Sequence, residues 1–351
     1  MSYFRSQHLV VALLFGFLSA PLFAQSIDKL ITPALWRSDL NVIDNTGLEF
    51  RGGLDYSLRQ TSQKSLAAPL HVDNLGGFST IEFFHNPGET PRFIAFSDNN
   101  GLWIEMSLQI VNGTLSGVDL LRMGTLIDPE TQKPLQDIES QARAEKGFYL
   151  AFEGSGKLWE LDKLDGTPRI SAPLKGVKGF HQNGIESLTL LKDKRLLAIA
   201  ELQVASEDVI STESLGIVPR DQTRMGWMQS SEGSANFETL AFYRRGRLDP
   251  GGSTTLANGE VLILYKHYDH ISGKNHIAVE RVKSSQLKAG SLVGGEVLLE
   301  VRSKRRKQQV LDNMEGISSF QLGGETFILL ASDDNLHWKN QKNRLLLFRL
   351  K

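Results

Sequence analysis

The sequence predicts an all-β chain folded as a single β-propeller of five or six blades, and three observations carry that prediction. One unit of grammar recurs: an acidic residue opens a short apolar strand, a turn follows, and a second apolar strand ends in a polar cluster. The copies stand roughly 40 to 50 residues apart, the period that blades of about four strands leave in a sequence. Between them no helix-period segment of useful length stands out, and no Pro-, Ser- or Gly-rich linker divides the chain.

The clearest copy is Asp312-Asn313-Met314-Glu315-Gly316-Ile317, with Phe327 to Leu330 and then Ala331-Ser332-Asp333-Asp334-Asn335. The same order appears at Asp137-Ile138-Glu139-Ser140 with Phe148 to Glu153, and at Asn183-Gly184-Ile185-Glu186-Ser187-Leu188 with Leu196 to Glu201. It is read again at Asn236-Phe237-Glu238-Thr239-Leu240 with Val261 to His267. A looser first copy is Gly76-Gly77-Phe78-Ser79-Thr80-Ile81 with Phe93 to Asp98.

From the N-terminus, Arg5 and His8 precede an apolar run from Leu9 to Phe23 that ends Leu22-Phe23-Ala24-Gln25. Those flanks and that length predict a signal peptide over residues 1–24, cut after Ala24, and hence a periplasmic or secreted protein. The run is shorter than the roughly 20 residues of a bilayer span, so no integral membrane segment is expected after cleavage. The chain has no cysteine, so burial and ring closure must stabilise it without disulfides. Thiolate catalysis and Cys-ligated zinc are excluded with it. A formal net charge of −1 gives no global field to recruit nucleic acid, and a monomer is expected.

Residues 25–47 read as a polar lead-in, and 48–351 as the propeller domain. Leu48 to Leu58 alternates around Gly52-Gly53, which predicts a bulged strand, and it is free to complete the last blade and so remove an open sheet edge. Blade one is expected from about Phe78 to Leu126 and blade two from Ile138 to about Leu174, each with a turn leading to a tryptophan, Trp103 or Trp159. Both tryptophans are assigned to the core between blades. Blade three opens at Ile185 and holds a long polar excursion, 206–223. Blade four is read as opening at Phe237 and ending near Val301, and blade five as the Asp312 unit with Leu345 to Phe348. A sixth blade would have to come from the lead-in and the long fourth unit.

Propeller geometry turns the repeat into a site. The first strand of each blade lines the channel and the second runs antiparallel to it, so the start of one and the end of the other share a face. Glu139, Glu186, Glu238 and Glu315 are therefore predicted around one channel mouth, with Asp98, Glu153, Glu201 and Asp333 near the same rim. Crowded carboxylates repel unless a cation intervenes, and hard oxygen ligands favour calcium. The alternative is that each glutamate latches the next blade by hydrogen bonds. Arg305 and Arg306, in the run Arg302 to Lys307, are candidate substrate-binding groups together with Lys266 of the segment Lys266-His267-Tyr268-Asp269-His270. His267 is a candidate acid–base group beside Glu186 and Glu238. Gly-x-Ser-x-Gly, Gly-x-x-x-x-Gly-Lys and His-Glu-x-x-His are all absent.

The third and fifth copies, Asn183 through Glu201 and Asp312 through Asn335 with Leu345 to Phe348, resemble the phytase-like family, also called "esterase-like activity of phytase", over roughly Gly76 to Leu350. The resemblance implies a secreted or periplasmic propeller with phosphoester or ester hydrolysis. In the β-propeller alkaline phytases, carboxylate-held calcium activates water and binds substrate phosphates. The first copy departs from the others, with Phe78-Ser79-Thr80 where they supply a glutamate. Two functions follow as expectations. One is a calcium-dependent hydrolase of a small anionic or ester substrate, with Glu139, Glu186, Glu238 and Glu315 holding the metal. The other is a non-enzymatic propeller that binds a ligand or protein through the same mouth.

Overall fold

The computed structural model describes residues 31–36, 42–44, 46–58, 76–84, 89–99, 101–152, 158–164, 169–170, 184–202, 204–205, 219–303, 311–335 and 341–351. The signal segment, Glu153, most of the 206–223 excursion, Arg305 and Arg306 lie outside them. In chain order the strands are β1 (Ile31–Trp36), β2 (Val42–Asp44), β3 (Leu48–Leu58), β4 (Phe78–Phe84), β5 (Arg92–Ser97), β6 (Leu102–Val111) and β7 (Thr114–Thr125). There follow β8 (Ile138–Arg143), β9 (Phe148–Phe152), β10 (Leu158–Leu161), β11 (Arg169–Ile170), β12 (Ile185–Leu190), β13 (Leu196–Ala200), β14 (Thr223–Gln229) and β15 (Phe237–Tyr243). The last are β16 (Asp249–Thr255), β17 (Val261–Asp269), β18 (Lys274–Val282), β19 (Leu292–Val293), β20 (Glu296–Arg302), β21 (Asn313–Leu322), β22 (Glu325–Asp333) and β23 (Asn343–Leu350).

These strands make five sheets, and the five innermost strands β4, β8, β12, β16 and β21 each pack on the next around a closed ring. The chain is a five-bladed β-propeller. Blade one is β4 to β7, blade two β8 to β11, and blade three β12 to β15 with β19 paired parallel to β15. Blade four is β16, β17, β18 and β20, with β2 on its edge; blade five is β21, β22 and β23, completed by β3 and then β1.

Each blade is buried on both faces, which explains its unbroken apolar second strand. On β22, Phe327, Leu329 and Ala331 pack toward blade one, while Ile328 and Leu330 pack toward blade four. On β13, Leu196, Ala198 and Ala200 face blade two, and Leu197 and Ile199 face blade four. The core is thus five apolar layers, one per blade interface. Trp103 and Trp159 belong to the layer between blades one and two, as their sequence context predicts.

The ring closes as expected. β3 pairs with β23, from Leu48 opposite Leu350 to Tyr56 opposite Asn343, with the predicted bulge falling at Gly52, whose φ is 122°. The Arg344 Nε donates to the Asp55 carboxylate at 2.6 Å and ties this seam at its buried end. Among the described residues the lead-in adds edge strands β1 and β2 to two blades and builds no sixth.

One boundary needs correction: blade four opens at Asp249, whereas Phe237 begins the outer strand of blade three. β15 pairs along its length with β14, setting Glu238 opposite Met228, while β17 pairs with β16. The true innermost strand, Asp249-Pro250-Gly251-Gly252-Ser253-Thr254-Thr255, has no large apolar residue, so hydrophobic patterning passes over it. Its small side chains are what the ring requires, since a Cβ on Gly252 would stand 2.5 Å from the Glu315 carbonyl oxygen of β21.

Candidate functional site at the channel mouth

All five innermost strands carry a β-bulge at their second or third residue. The register slips at Ser79 in β4, Glu139 in β8, Glu186 in β12, Gly251 in β16 and Glu315 in β21. A bulge puts two residues opposite one and re-aims the extra side chain, so this repeat delivers three glutamates to one end of the channel. Small hydroxyl residues stitch the strands just below. The Ser79 hydroxyl donates to the Ile138 carbonyl at 2.5 Å and the Ser140 hydroxyl to the Ile185 carbonyl at 2.6 Å. Ser187 reaches Ser253 at 2.6 Å.

The fourth blade supplies a cation in place of a fourth carboxylate. Gly251 stands where a glutamate would be, and a Cβ there would lie 2.9 to 3.2 Å from the methylenes of Lys266. Lys266, on β17 of the same blade, crosses this gap and places its Nζ 2.5 Å from Glu315, 3.5 Å from Glu186 and 3.6 Å from Glu201. Burial works against the ammonium, but Glu186, Glu315 and Glu201 outweigh it and hold the lysine pKa well above its ordinary value. Asn313 also donates to the Glu315 Oε1 at 2.8 Å.

The rim holds more carboxyl groups than this one lysine balances, and their pKa values rise accordingly. Burial, together with Glu186, Glu315 and Asp98, pushes Glu139 up to about 10. Burial raises Glu186 to about 8 against the pull of Lys266, and burial with Glu315 raises Asp98 to about 7. Asp333, 1% exposed at the end of β22, is raised by burial and by the neighbouring Glu315 and Asp98. Glu201 is raised by burial, with Glu315 and Asp249 adding to it and Lys266 opposing.

A cavity of about 580 Å3 opens over blades three to five. Glu201, Glu315 and Lys266 line it together with Asp249, His267 and His270. Asp249, at the start of β16, is buried between two arginines, accepting from the Arg224 Nε at 2.8 Å and from Arg244 at 2.9 Å. Burial lowers the His267 pKa, so its ring is neutral at pH 7. Asp269 accepts from the Ser272 hydroxyl at 2.6 Å and closes its own turn.

The structure therefore brings Glu139, Glu186 and Glu315 together as expected, with Asp98, Glu201 and Asp333 on the same rim. Glu238 does not join them. It is exposed near the start of β15, the fourth strand of its blade, and three antiparallel reversals place that end on the opposite face. Lys266, read as substrate-binding, lines the cavity and is engaged by three carboxylates. Asp249 escapes sequence reading because it opens the strand that has no apolar signal, and its partners Arg224 and Arg244 are recognisable only through it.

The glutamates expected to hold calcium do not fit that ion as arranged. Calcium takes about six to eight oxygens at about 2.3–2.6 Å, whereas Glu186, Glu201 and Glu315 converge on the ammonium of Lys266. Among the described residues no group of three or more His, Asp or Glu side chains is placed to hold a metal ion. Nor, among them, is any helix long and apolar enough to cross a membrane.

Fold and site together define a five-bladed propeller with a buried carboxylate–lysine cluster at one channel mouth. The model of the Phytase-like family, "esterase-like activity of phytase", matches residues 73–336, and the chain belongs to that family. Among solved structures it is similar to an exo-1,5-alpha-L-arabinanase from a bovine ruminal metagenomic library, at 11% identity over 78% of this chain and 93% of that one, with a TM-score of 0.44. A thermostable family-43 glycoside hydrolase matches at 10% identity over 79% and 91%, TM-score 0.46. An endo-arabinase from Bacteroides thetaiotaomicron matches at 11% over 78% and 94%, TM-score 0.44. Likenesses this remote carry no argument about activity. No curated protein matches the chain in sequence.

Proposed function

We propose that the chain is an exported, monomeric hydrolase that cleaves an ester of a small polar or anionic acid, phosphoric or carboxylic, in the cavity at the channel mouth. The observation that carries this reading is that Glu201 and Glu315 line one cavity and both contact a single ammonium, that of Lys266, at 3.6 and 2.5 Å. Two carboxyl groups beside one cavity can serve as a base and an acid. Glu315, closest to Lys266, takes a proton from water as the water oxygen bonds to the acyl or phosphoryl centre. Glu201, whose pKa is raised, donates its proton to the leaving oxygen as that bond breaks. Lys266 holds both carboxylates in place and offers positive charge to the developing oxyanion. The neutral His267 on the cavity wall orients the substrate. The family's description supports ester hydrolysis as the reaction class, and the apolar run before Ala24 supports export.

The test is to assay the mature protein on phytate, aryl phosphates and aryl carboxylic esters, with and without chelator, beside Glu315→Gln and Glu238→Gln. Turnover lost in Glu315→Gln and kept in Glu238→Gln supports the proposal, and the substrate panel separates phosphoric from carboxylic esters. Absence of turnover on the whole panel favours the second reading, a ligand-binding propeller whose glutamates are latches. Only 8% exposure at both Glu186 and Glu315 is the observation on that side.

A further inference from the structure

Crowded carboxylates at a channel mouth need positive charge, and here that charge is covalently attached. Among the five bulged positions, blade four alone has glycine, and the methylenes of Lys266 fill the space where a Gly251 side chain would begin. The neighbouring strand places the lysine at the right height, since Lys266 pairs across the sheet with Asp249, two residues before the glycine. Its Nζ then meets Glu315, Glu186 and Glu201, which come from blades five and three. A side chain at 251 would press on the lysine stem, and a neutral residue at 266 would leave three carboxylates facing one another.

We propose that Lys266, admitted by Gly251, is a tethered cation occupying the seat a divalent metal would otherwise fill, so that this mouth is independent of calcium as built and becomes a calcium site when the lysine is removed. The pair therefore decides which of two cations the ring of carboxylates uses. Glu186, Glu201 and Glu315 supply hard oxygens from two blades, and Asn313 adds an amide close to Glu315, which is the donor chemistry calcium takes. The inference does not rest on hydrolysis, because its readouts are melting and ion binding.

The experiment compares the unmodified protein with Lys266→Met by thermal melting in chelator and in millimolar calcium, and by calorimetric titration with calcium chloride. The unmodified protein is expected to melt at the same temperature in both and to give no binding heat. Lys266→Met is expected to melt lower in chelator, to bind one calcium per chain, and to gain about 5 °C when calcium is a hundredfold above Kd. If Lys266→Met fails to fold in chelator, recovery of the fold in calcium supports the proposal, and failure in both media overturns it. Stoichiometric calcium uptake by the unmodified protein that is lost in Glu315→Gln also overturns it, as does a folded Lys266→Met indifferent to calcium.

Discussion

The Lys266 ammonium lies 2.5 Å from the Glu315 carboxylate, although 49 residues and a blade boundary separate the two in the chain. Neither side chain could hold its charge there alone. Removing one member of a buried pair leaves the other uncompensated, at a cost of about 3–5 kcal/mol. The pair accounts for one positive charge, while Asp98, Glu139, Glu186, Glu201 and Asp333 share the same rim.

That imbalance makes stability depend on pH in a definite direction. A carboxyl whose pKa is raised by folding stabilises the fold fully below its ordinary value, and that stability is lost as pH rises through the folded value. For Asp98, Glu186 and Glu139 the folded values are about 7, about 8 and about 10, against ordinary values of 3.8 for Asp98 and 4.5 for the two glutamates. The melting temperature is therefore expected to fall steadily from pH 5 to pH 8. Glu139→Gln should melt higher at pH 8 and flatten the slope by up to ~1.4 kcal/mol per pH unit. A melting temperature that rises over this range contradicts the assignment.

Glu201→Gln separates a proton donor from a group that merely packs. With poor leaving groups such as alkoxides, kcat/KM is expected to fall by about 10²–10⁴-fold. With a nitrophenolate leaving group, which departs without a proton, the loss should be much smaller. Equal losses on both substrates would remove Glu201 from the donor role.

Asp249 anchors the start of β16 between Arg224 and Arg244, and only 8% of it is exposed. Asp249→Ala removes the carboxylate that both guanidinium groups contact. Chemical denaturation should show a loss of about 3–5 kcal/mol. Glu238→Gln, on the outer strand of the preceding blade, should stay within about 0.5 kcal/mol of the unmodified protein.

Gly252→Ala tests how closely β16 approaches β21. The added methyl would meet the Glu315 carbonyl oxygen, a backbone atom that cannot rotate away, so a loss of about 1–3 kcal/mol is expected. Gly294→Ala meets only the Tyr243 Cβ at 3.8 Å and serves as the control, with no measurable change in denaturation midpoint.

The sequence made the propeller legible because its second strands are buried on two faces and read as unbroken apolar runs, such as Leu196 to Ala200 and Phe327 to Leu330. Glu139, Glu186 and Glu315 were legible for a related reason: each follows a buried apolar residue at a repeated position. Blade four was misplaced because its innermost strand is built of glycine, serine and threonine, while Asn236 to Leu240 imitates the opening motif on an outer strand. The same substitution hid Lys266 as the counter-cation. An ion pair between blades four and five depends on pairing register, which the residue pattern of β16 leaves unmarked. Gly251 was the available signal, as one of two opening positions without a glutamate and the one with no side chain at all.

The seam between β3 and β23 has a consequence for how the protein is made. Arg349 and Glu49 meet at 3.0 Å although they stand 300 positions apart in the chain, so β3, with β1 on one edge, must wait for β23 to be made before its other edge is paired. Contacts this distant along the chain make for slow folding, since loop-closure entropy must be met before they form. A strand edge left open until the far side of the ring is in place is an opening for wrong partners.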